Sequence, residues 1–435
     1  MNYIEVIDYL YSRLPMFTRD GSSAFKKDLT NIRALCEALG NPEKAFKSVH
    51  IAGTNGKGSS SHMLAAVLQT AGYKTGLYTS PHLLDFRERI KFNGALVPQT
   101  FVIDFVKNNR SLIEAIQPSF FEVTVAMAFR YFADMQVDIA IIETGLGGRL
   151  DSTNIIHPIV SLITNIGYDH MNMLGNSLTA IAYEKAGIIK NRTPIVISEK
   201  QQAIAPIFIN RAQELAAPLF FASDEWTVDE IVVNTQFQQL MVSPKEGHPL
   251  KTAKAICLDL RGSYQRKNLL GVLSTFCLLQ ETGFIISEDQ LIEGLAAVQT
   301  LTGLMGRWQT LSNAPLTICD TGHNEDGWKE VIKNISHTTY KKLRMVIGVM
   351  RDKDLEHMLS LLPRDADFYF CSPDFQRALP AKDLKSQAAD YGLIGHAYDD
   401  VKQAIETAQQ NASDDDLIFI GGSTFVVAEA LPLFQ

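Results

Sequence analysis

The stretch HIAGTNGKGSSSHML, residues 50–64, decides the fold. A β-rich run ends at Ala52, a glycine-rich loop follows, and an apolar helical pattern begins just after Lys57. That order brings free backbone N–H groups and a helix N-terminus to one point, which suits a polyphosphate. Gly53, Gly56 and Gly58 let the backbone approach oxygen atoms closely, with Thr54 and Asn55 completing the loop. Lys57 offers a point charge to the β- and γ-phosphates, and Ser59 offers a hydroxyl to Mg²⁺. The competing reading is a ligand-free strand-to-helix turn; the lysine and hydroxyl at these offsets favour the nucleotide.

Outward from this loop, short β-rich runs alternate with helical patterns, the signature of a parallel sheet with crossover helices. Strands are expected at Ser48–Ala52, Lys74–Thr79, Val137–Glu143, Ile159–Thr164 and Pro194–Ser198, with helices at Gly58–Ala71, Thr100–Ile116, Phe121–Asp134 and Leu178–Ile188. The stretch Glu230–Leu260 alternates apolar and polar residues and reads as antiparallel strands on the sheet's flank. Helices follow near Gln265–Thr282 and Ser287–Val298. After Thr300 the run LTGLMGRW is aperiodic and contains glycine, which marks a linker. Beyond it LTICD, RMVIGV, DFYFC and DLIFIGG alternate with helical patterns. The expected fold is α/β: a P-loop-containing parallel-sheet domain (1–299), a linker (300–306), and a smaller doubly wound, Rossmann-like domain (307–435).

A chain of 435 residues exceeds one hydrophobic core, and 46% hydrophobic with 20% charged residues describes an ordinary globular protein. The formal net charge of −8, without a long basic tract, argues against nucleic acid or an anionic membrane as partner. Five scattered cysteines form no CxxC pair and read as reduced core residues. The amino terminus lacks an apolar signal core, and no apolar run reaches the ~20 residues of a membrane helix. A reducing cytoplasm fits these features.

Polar residues recur at the expected strand ends, where ligands of parallel sheets gather. Ser80 follows KTGLYT, Glu143 closes the buried run VDIAIIE, and Asp169 with His170 comes shortly after IVSLIT. Mg²⁺ takes octahedral, oxygen-rich coordination shared with phosphate, so Ser59, Ser80 and Glu143 are candidate ligands. His170, a less usual ligand, suggests a second metal. Each has a plain alternative: a turn at Ser80-Pro81, a loop cap at Glu143, a loop histidine at His170.

The series AGTNGKGS (52–59), TSPHL (79–83), ETGLGGRLDSTN (143–154), TNIGYDHMNMLG (164–175) and EKAGIIK (184–190) resembles the ordered motifs of the folylpolyglutamate synthase/dihydrofolate synthase family, within the Mur ligase superfamily. Weaker likeness continues through QRKNLLG (265–271), GRW (306–308), DTGHN (320–324) and GGSTF (421–425). The resemblance implies ATP binding by Gly53–Ser59, two Mg²⁺ ions held by Ser59, Ser80, Glu143 and His170, and carbamylation of Lys185, which otherwise reads as a surface helix lysine. It further implies an adenine contact by Asn268, catalytic Arg307 and His323, nucleotide contact by Asp320, and a glutamate contact by Ser423. His82 in TSPHL, with Glu122 and Thr124 in FFEVT (120–124), resembles residues lining a pterin pocket; the alternative is a loop and a helix start.

DTGHNED stands where the family shows DGAHNP, so Thr321 replaces a glycine and Glu325 a proline, and Met305 precedes Gly306-Arg307 where a proline is usual. These departures put loop shape in question more than chemistry. The activity implied is an ATP-dependent ligation, through an acyl phosphate, of a dihydropteroate or reduced-folate carboxylate to L-glutamate by a monomer. A ligase acting on a UDP-sugar precursor is the alternative within the superfamily, and TSPHL with ETGLGGRLD favours the folate branch. A P-loop nucleotide switch is the alternative outside it; no guanine-type NKxD motif is present.

Overall fold

In the computed structural model, residues 1–16, 19, 28–233, 236–246, 252–351 and 355–435 are described. They divide into two compact units, Met1–Asp259 with Gln265–Leu304, and Leu260–Tyr264 with Met305–Gln435.

The larger unit is built on eight strands: β1 (Lys47–Ala52), β2 (Thr75–Tyr78), β3 (Ile90–Phe92), β4 (Ala95–Leu96), β5 (Ile139–Glu143), β6 (Val160–Ile163), β7 (Ile195–Ile197) and β8 (Leu219–Phe221). Their order is β4-β3-β2-β5-β1-β6-β7-β8. Strands β2, β5, β1, β6, β7 and β8 run parallel, while β3 and β4 add an antiparallel edge that the sequence pattern did not announce. β2, β5, β6 and β7 are buried along their whole length, and β1 beyond its first residue. Helices cover both faces of a parallel sheet, so its strands read as continuous apolar runs. One core packs β2 and β5 against the helices Tyr3–Arg13, Thr30–Ala38, Gln99–Ile116 and Phe120–Asp134. A second packs β6 and β7 against Leu178–Ala186 and Ala205–Glu214.

The alternating stretch after Trp226 forms a separate antiparallel sheet of β9 (Trp226–Val233), β10 (Gln238–Pro244) and β11 (Lys254–Leu258), ordered β11-β10-β9. Residues 234–235 and 247–251 of that stretch lie outside those described.

The smaller unit holds β12 (Gln309–Asn313), β13 (Leu316–Asp320), β14 (Leu343–Ile347), β15 (Asp367–Phe370), β16 (Gly395–Ala397) and β17 (Leu417–Gly421), ordered β12-β13-β17-β14-β15-β16. All neighbours are parallel except β12, which pairs antiparallel with β13. Its core gathers Trp328, Phe368, Phe370 and Phe419. Leu260–Tyr264, assigned from the sequence to the 1–299 domain, belongs here instead. Ser263 N donates to Asn334 Oδ1 at 3.0 Å, Ser263 Oγ to Glu330 Oε2 at 3.1 Å, and Tyr264 Oη to Asp320 Oδ2 at 2.6 Å. Periodicity carries no trace of such long-range bonds, so the excursion was not legible. The cysteines are free, with Cys36, Cys319 and Cys371 buried and Cys257 and Cys277 only half-buried. No helix among the described residues is long and apolar enough to cross a membrane.

Candidate nucleotide and divalent-cation site

β1 is the central strand, and its register sets Ile51 beside Glu143 of β5 and Ala52 beside Ile163 of β6. The loop that leaves β1 is therefore flanked by the carboxyl ends of β5 and β6. Gly53 (φ +150°) and Gly56 (φ +86°) take conformations that L side chains rarely adopt. A Cβ on Gly53 would lie 1.8 Å from Thr164 Oγ1, and one on Gly56 2.0 Å from Asn268 Oδ1. Glycine is thus required twice: by the turn, and by the close approach of neighbouring groups. The helix Lys57–Thr70 starts directly after Gly56 with no side-chain cap on its first turn. Its leading N–H groups and dipole suit an anion.

The segment after β6 straps the loop down. Thr54 N donates to Asn165 O (2.9 Å), Asn55 N to Asn165 Oδ1 (2.8 Å), Gly167 N to Thr54 Oγ1 (2.9 Å) and Thr164 Oγ1 to Asn55 O. Within it, Lys57 Nζ reaches Gly53 O at 3.1 Å and Thr54 O at 3.2 Å, and Lys185 Nζ reaches the same Gly53 O at 2.8 Å. The Lys57 ammonium on this loop favours an anionic ligand. Lys185 is only 4% exposed. Burial, and then the positive charge of Lys57, lower its pKa to about 7, while Asp169 and Asp151 oppose the shift.

The ETGLGGRLDSTN loop and the EKAG helix interlock to place Lys185 there. Arg149 N donates to Glu184 O at 2.8 Å, and Arg149 pairs with Glu184 at 2.8 Å. A Cβ on Gly148 would meet Glu184 O and Lys185 O at 2.9 Å, and one on Gly187 would meet Arg149 at 2.3 Å. Asp151 holds the loop from inside: its carboxylate accepts from Leu146 N (2.8 Å) and Thr153 N (3.0 Å), and burial raises its pKa against those bonds.

Glu143 ends β5, is buried, and accepts from Ser80 N at 3.1 Å, which brings those two candidate ligands together. Ser59 Oγ accepts from Gln265 Nε2 at 3.1 Å. His170, in a left-handed conformation (φ 49°), heads the short helix Met171–Leu174, and its Nε2 lies 3.8 Å from Asp169 Oδ2. No three His, Cys, Asp or Glu side chains gather as a metal cluster among the described residues. The donor set is hydroxyls with one buried carboxylate, which fits Mg²⁺ completed by phosphate oxygens and water rather than a cation caged by protein.

His82 sits in a different cluster. Its Nδ1 accepts from Arg89 Nε at 2.7 Å, so Nε2 carries the hydrogen and faces Tyr11 Oη at 3.1 Å. Burial, then Arg89, lower its pKa to about 3, and the ring is neutral. Tyr11 stacks on it, while Phe86 and Phe120 lie within 6.3 Å and 5.4 Å of the His82 and Tyr11 rings respectively. Glu122 and Thr124, expected to line the same pocket, have local partners. Glu122 Oε2 accepts from Ser119 N (2.7 Å) and Oγ (2.8 Å) as the capping box of Phe120–Asp134, and Thr124 Oγ1 donates to Phe120 O (2.7 Å). Both side chains are buried, at 3% and 1% exposure. The helix-start alternative for FFEVT corresponds to this S-x-x-E capping box.

In the smaller unit, Asp320 ends β13 beside Gly421 of β17. Its carboxylate accepts from Tyr264 Oη, from Trp308 N (2.8 Å) and from Gly322 N (2.8 Å); burial raises its pKa while those bonds pull it down. Arg307 donates to Gly306 O (3.1 Å) and to Thr321 Oγ1, which itself donates to Gly306 O at 3.1 Å. Thr321, the departure from the family pattern, therefore ties the GRW turn to the DTGHN loop. His323 Nδ1 lies 3.0 Å from Thr321 O. Ser423 caps the helix Thr424–Ala430, accepting from Val426 N at 3.2 Å.

Several site residues escaped the sequence reading. Gln265, Thr164 and Asn165 hold the loop, Tyr264 holds Asp320, and Arg89 with Tyr11 holds His82. Gln265 stands three residues before Asn268 in QRKN, a spacing that places both on one helix face.

A family model described as the Mur ligase middle domain matches residues 51–276, and one described as the Mur ligase glutamate ligase domain matches residues 306–424. The chain is 32% identical to a dihydrofolate synthase/folylpolyglutamate synthase of Bacillus subtilis over 98% of each chain. It is 31% identical to the Escherichia coli protein of that name over 88% of this chain and 86% of the other. Among solved structures it is similar to E. coli FolC in complex with DHPP and ADP (TM-score 0.85, 28% identity, 100% and 97% of the chains covered). It is also similar to Mycobacterium tuberculosis folylpolyglutamate synthase complexed with ADP (TM-score 0.88, 28% identity, 100% and 98%).

Proposed function

The chain belongs to the folylpolyglutamate synthase/dihydrofolate synthase family of Mur-type ligases, and from that premise we propose that it joins a dihydropteroate or reduced-folate carboxylate to the amine of L-glutamate at the expense of ATP. The observation that carries this reading is the convergence of Lys57 and Lys185 on the Gly53 carbonyl of a P-loop, at the sheet rim where Glu143 ends β5.

A carboxylate resists amines because it is anionic and its oxygen leaves poorly. Attack of a carboxylate oxygen on the γ-phosphorus, with departure of ADP, gives an acyl phosphate and removes both obstacles. The glutamate nitrogen then attacks the carbonyl carbon, loses a proton, and phosphate departs carrying the carboxylate oxygen. Lys57 and the uncapped N–H groups after Gly56 bind the triphosphate and stabilise charge on the transferring group. Mg²⁺, two ions in this reading, supplies further neutralisation of the triphosphate. Ser59, Ser80 and Glu143 would hold one ion. His170 and a carbamate on Lys185 would hold the other, the carbamate forming when the neutral amine adds to CO₂ with loss of a proton. Asn268 contacts the adenine, and Arg307, Asp320, His323 and Ser423 serve the nucleotide and glutamate. His82, kept neutral by burial and then by Arg89, offers its ring to the pteridine without a charge. The protein acts as a cytoplasmic monomer.

The test is amide formation with dihydropteroate and tetrahydrofolate side by side, using pterin carboxylate labelled with oxygen-18. The reading expects one labelled oxygen in each phosphate released. Unlabelled phosphate during turnover overturns it, as would ADP release stimulated by a UDP-muramoyl substrate and not by either pterin.

A further inference from the structure

Residues 59, 60 and 61 are all serine and all buried at the start of the P-loop helix. The hydroxyls of Ser60 and Ser61 have no hydrogen-bond partner among the described residues. Ser59 differs: its Oγ receives Nε2 of Gln265, 206 residues further along the chain, at 3.1 Å. Gln265 is fully buried, and its other amide atom, Oε1, accepts from Asn268 Nδ2 at 2.8 Å. Asn268 Oδ1 in turn lies where a Cβ on Gly56 would be. The relay runs from Gly56 through Asn268 and Gln265 to Ser59, all within the larger unit. It has a direction. With Asn268 donating to Oε1, the amide of Gln265 has to turn its N–H toward Ser59.

We propose that Gln265 is a positioning residue that aims the Ser59 hydroxyl at the nucleotide-bound divalent cation. An unheld serine hydroxyl on a helix samples several χ1 wells. An N–H donated to Oγ occupies one of its two lone pairs and leaves the other for a cation, so both the rotamer and the direction of the free lone pair are set before the metal arrives. The same relay reaches the loop, because Asn268 packs against Gly56, the last residue before the helix. This inference rests on the nucleotide reading given above.

The experiment measures binding of a fluorescent, non-hydrolysable ATP analogue against Mg²⁺ concentration, and separately in EDTA. Gln265→Met keeps the volume and removes both the donor to Ser59 and the acceptor of Asn268. It is expected to raise the Mg²⁺ concentration for half-saturation by roughly 10- to 100-fold, the usual cost of losing a group that orients a metal ligand. Affinity in EDTA is expected to stay within about twofold, since the hydrogen bond acts on the cation's ligand and not on the phosphates. In a Ser59→Ala background, Gln265→Met is expected to add nothing. If Gln265→Met does not fold, Gln265→Asn, short by one methylene, has to show the same displaced Mg²⁺ dependence. Unchanged Mg²⁺ dependence in the folded variant, an equal loss in EDTA, or the full effect persisting without the Ser59 hydroxyl would each overturn the proposal. A wild-type protein that bound the analogue neither with Mg²⁺ nor without it would overturn the nucleotide reading itself, and this inference with it.

Discussion

Lys57 and Lys185 share one acceptor, yet their burial differs and so does their chemistry. Lys57 lies at the head of the helix Lys57–Thr70, and its charge is available to a triphosphate. Replacing it with alanine is expected to lower kcat by on the order of 10²-fold or more, the scale of one lost charge-stabilising group; steady-state ligation kinetics check this. Lys185 is buried and has its pKa lowered to about 7. Its neutral, CO₂-reactive form therefore grows as pH rises through about 7, so a carbamate carbon signal from ¹³C-bicarbonate should strengthen above that pH and fade below it. The stability sign follows from the same shift. Below about 7 both folded and unfolded chains hold the proton; between about 7 and the ordinary 10.5 only the unfolded chain does. Stability from this group consequently rises with pH across that window. In CO₂-free buffer, Lys185→Met should flatten the rise seen by denaturant titration.

At the scale of elements, the lysine is placed by how two segments interlock. Gly148 and Gly187 let the 143–154 loop and the helix Leu178–Ala186 meet backbone to backbone. Gly187→Ala sets a methyl 2.3 Å from Arg149, and overpacking of this kind typically costs about 1–3 kcal/mol. Thermal unfolding should register that loss, and the carbamate signal should weaken as the helix is pushed away. The helix Phe120–Asp134 makes the opposite point. Its Glu122 completes a capping box with Ser119, so Glu122→Ala should cost about 1 kcal/mol of stability while the KM for the pterin changes little. A KM increase beyond tenfold would assign Glu122 to the pocket after all.

For the whole molecule, two units with separate cores divide the work. The P-loop, Lys185 and the His82 cluster belong to the larger unit; Arg307, Asp320 and His323 belong to the smaller. Mg²⁺ with ADP at about 100 times Kd should stabilise the state that binds it by about 2.7 kcal/mol. Calorimetry checks this, and Lys57→Ala should abolish most of the shift. Sedimentation should find a single species with the mass of one chain.

The alternation of apolar runs with helical patterns, and the glycine, lysine and serine offsets of residues 53–59, were enough to read a parallel sheet carrying a P-loop. Both signals are local: a strand buried on two faces has to be apolar throughout, and a phosphate loop has to be glycine-rich beside a helix start. Tertiary structure alone decided that Gln265 reaches Ser59, that Leu260–Tyr264 leaves its flanking domain for Asp320, and that Thr321 bridges to Gly306. Each of these depends on which polar atom a buried side chain finds. Hydrogen bonding between residues tens to hundreds of positions apart leaves no period or spacing in the chain, and only the folded packing selects the partner.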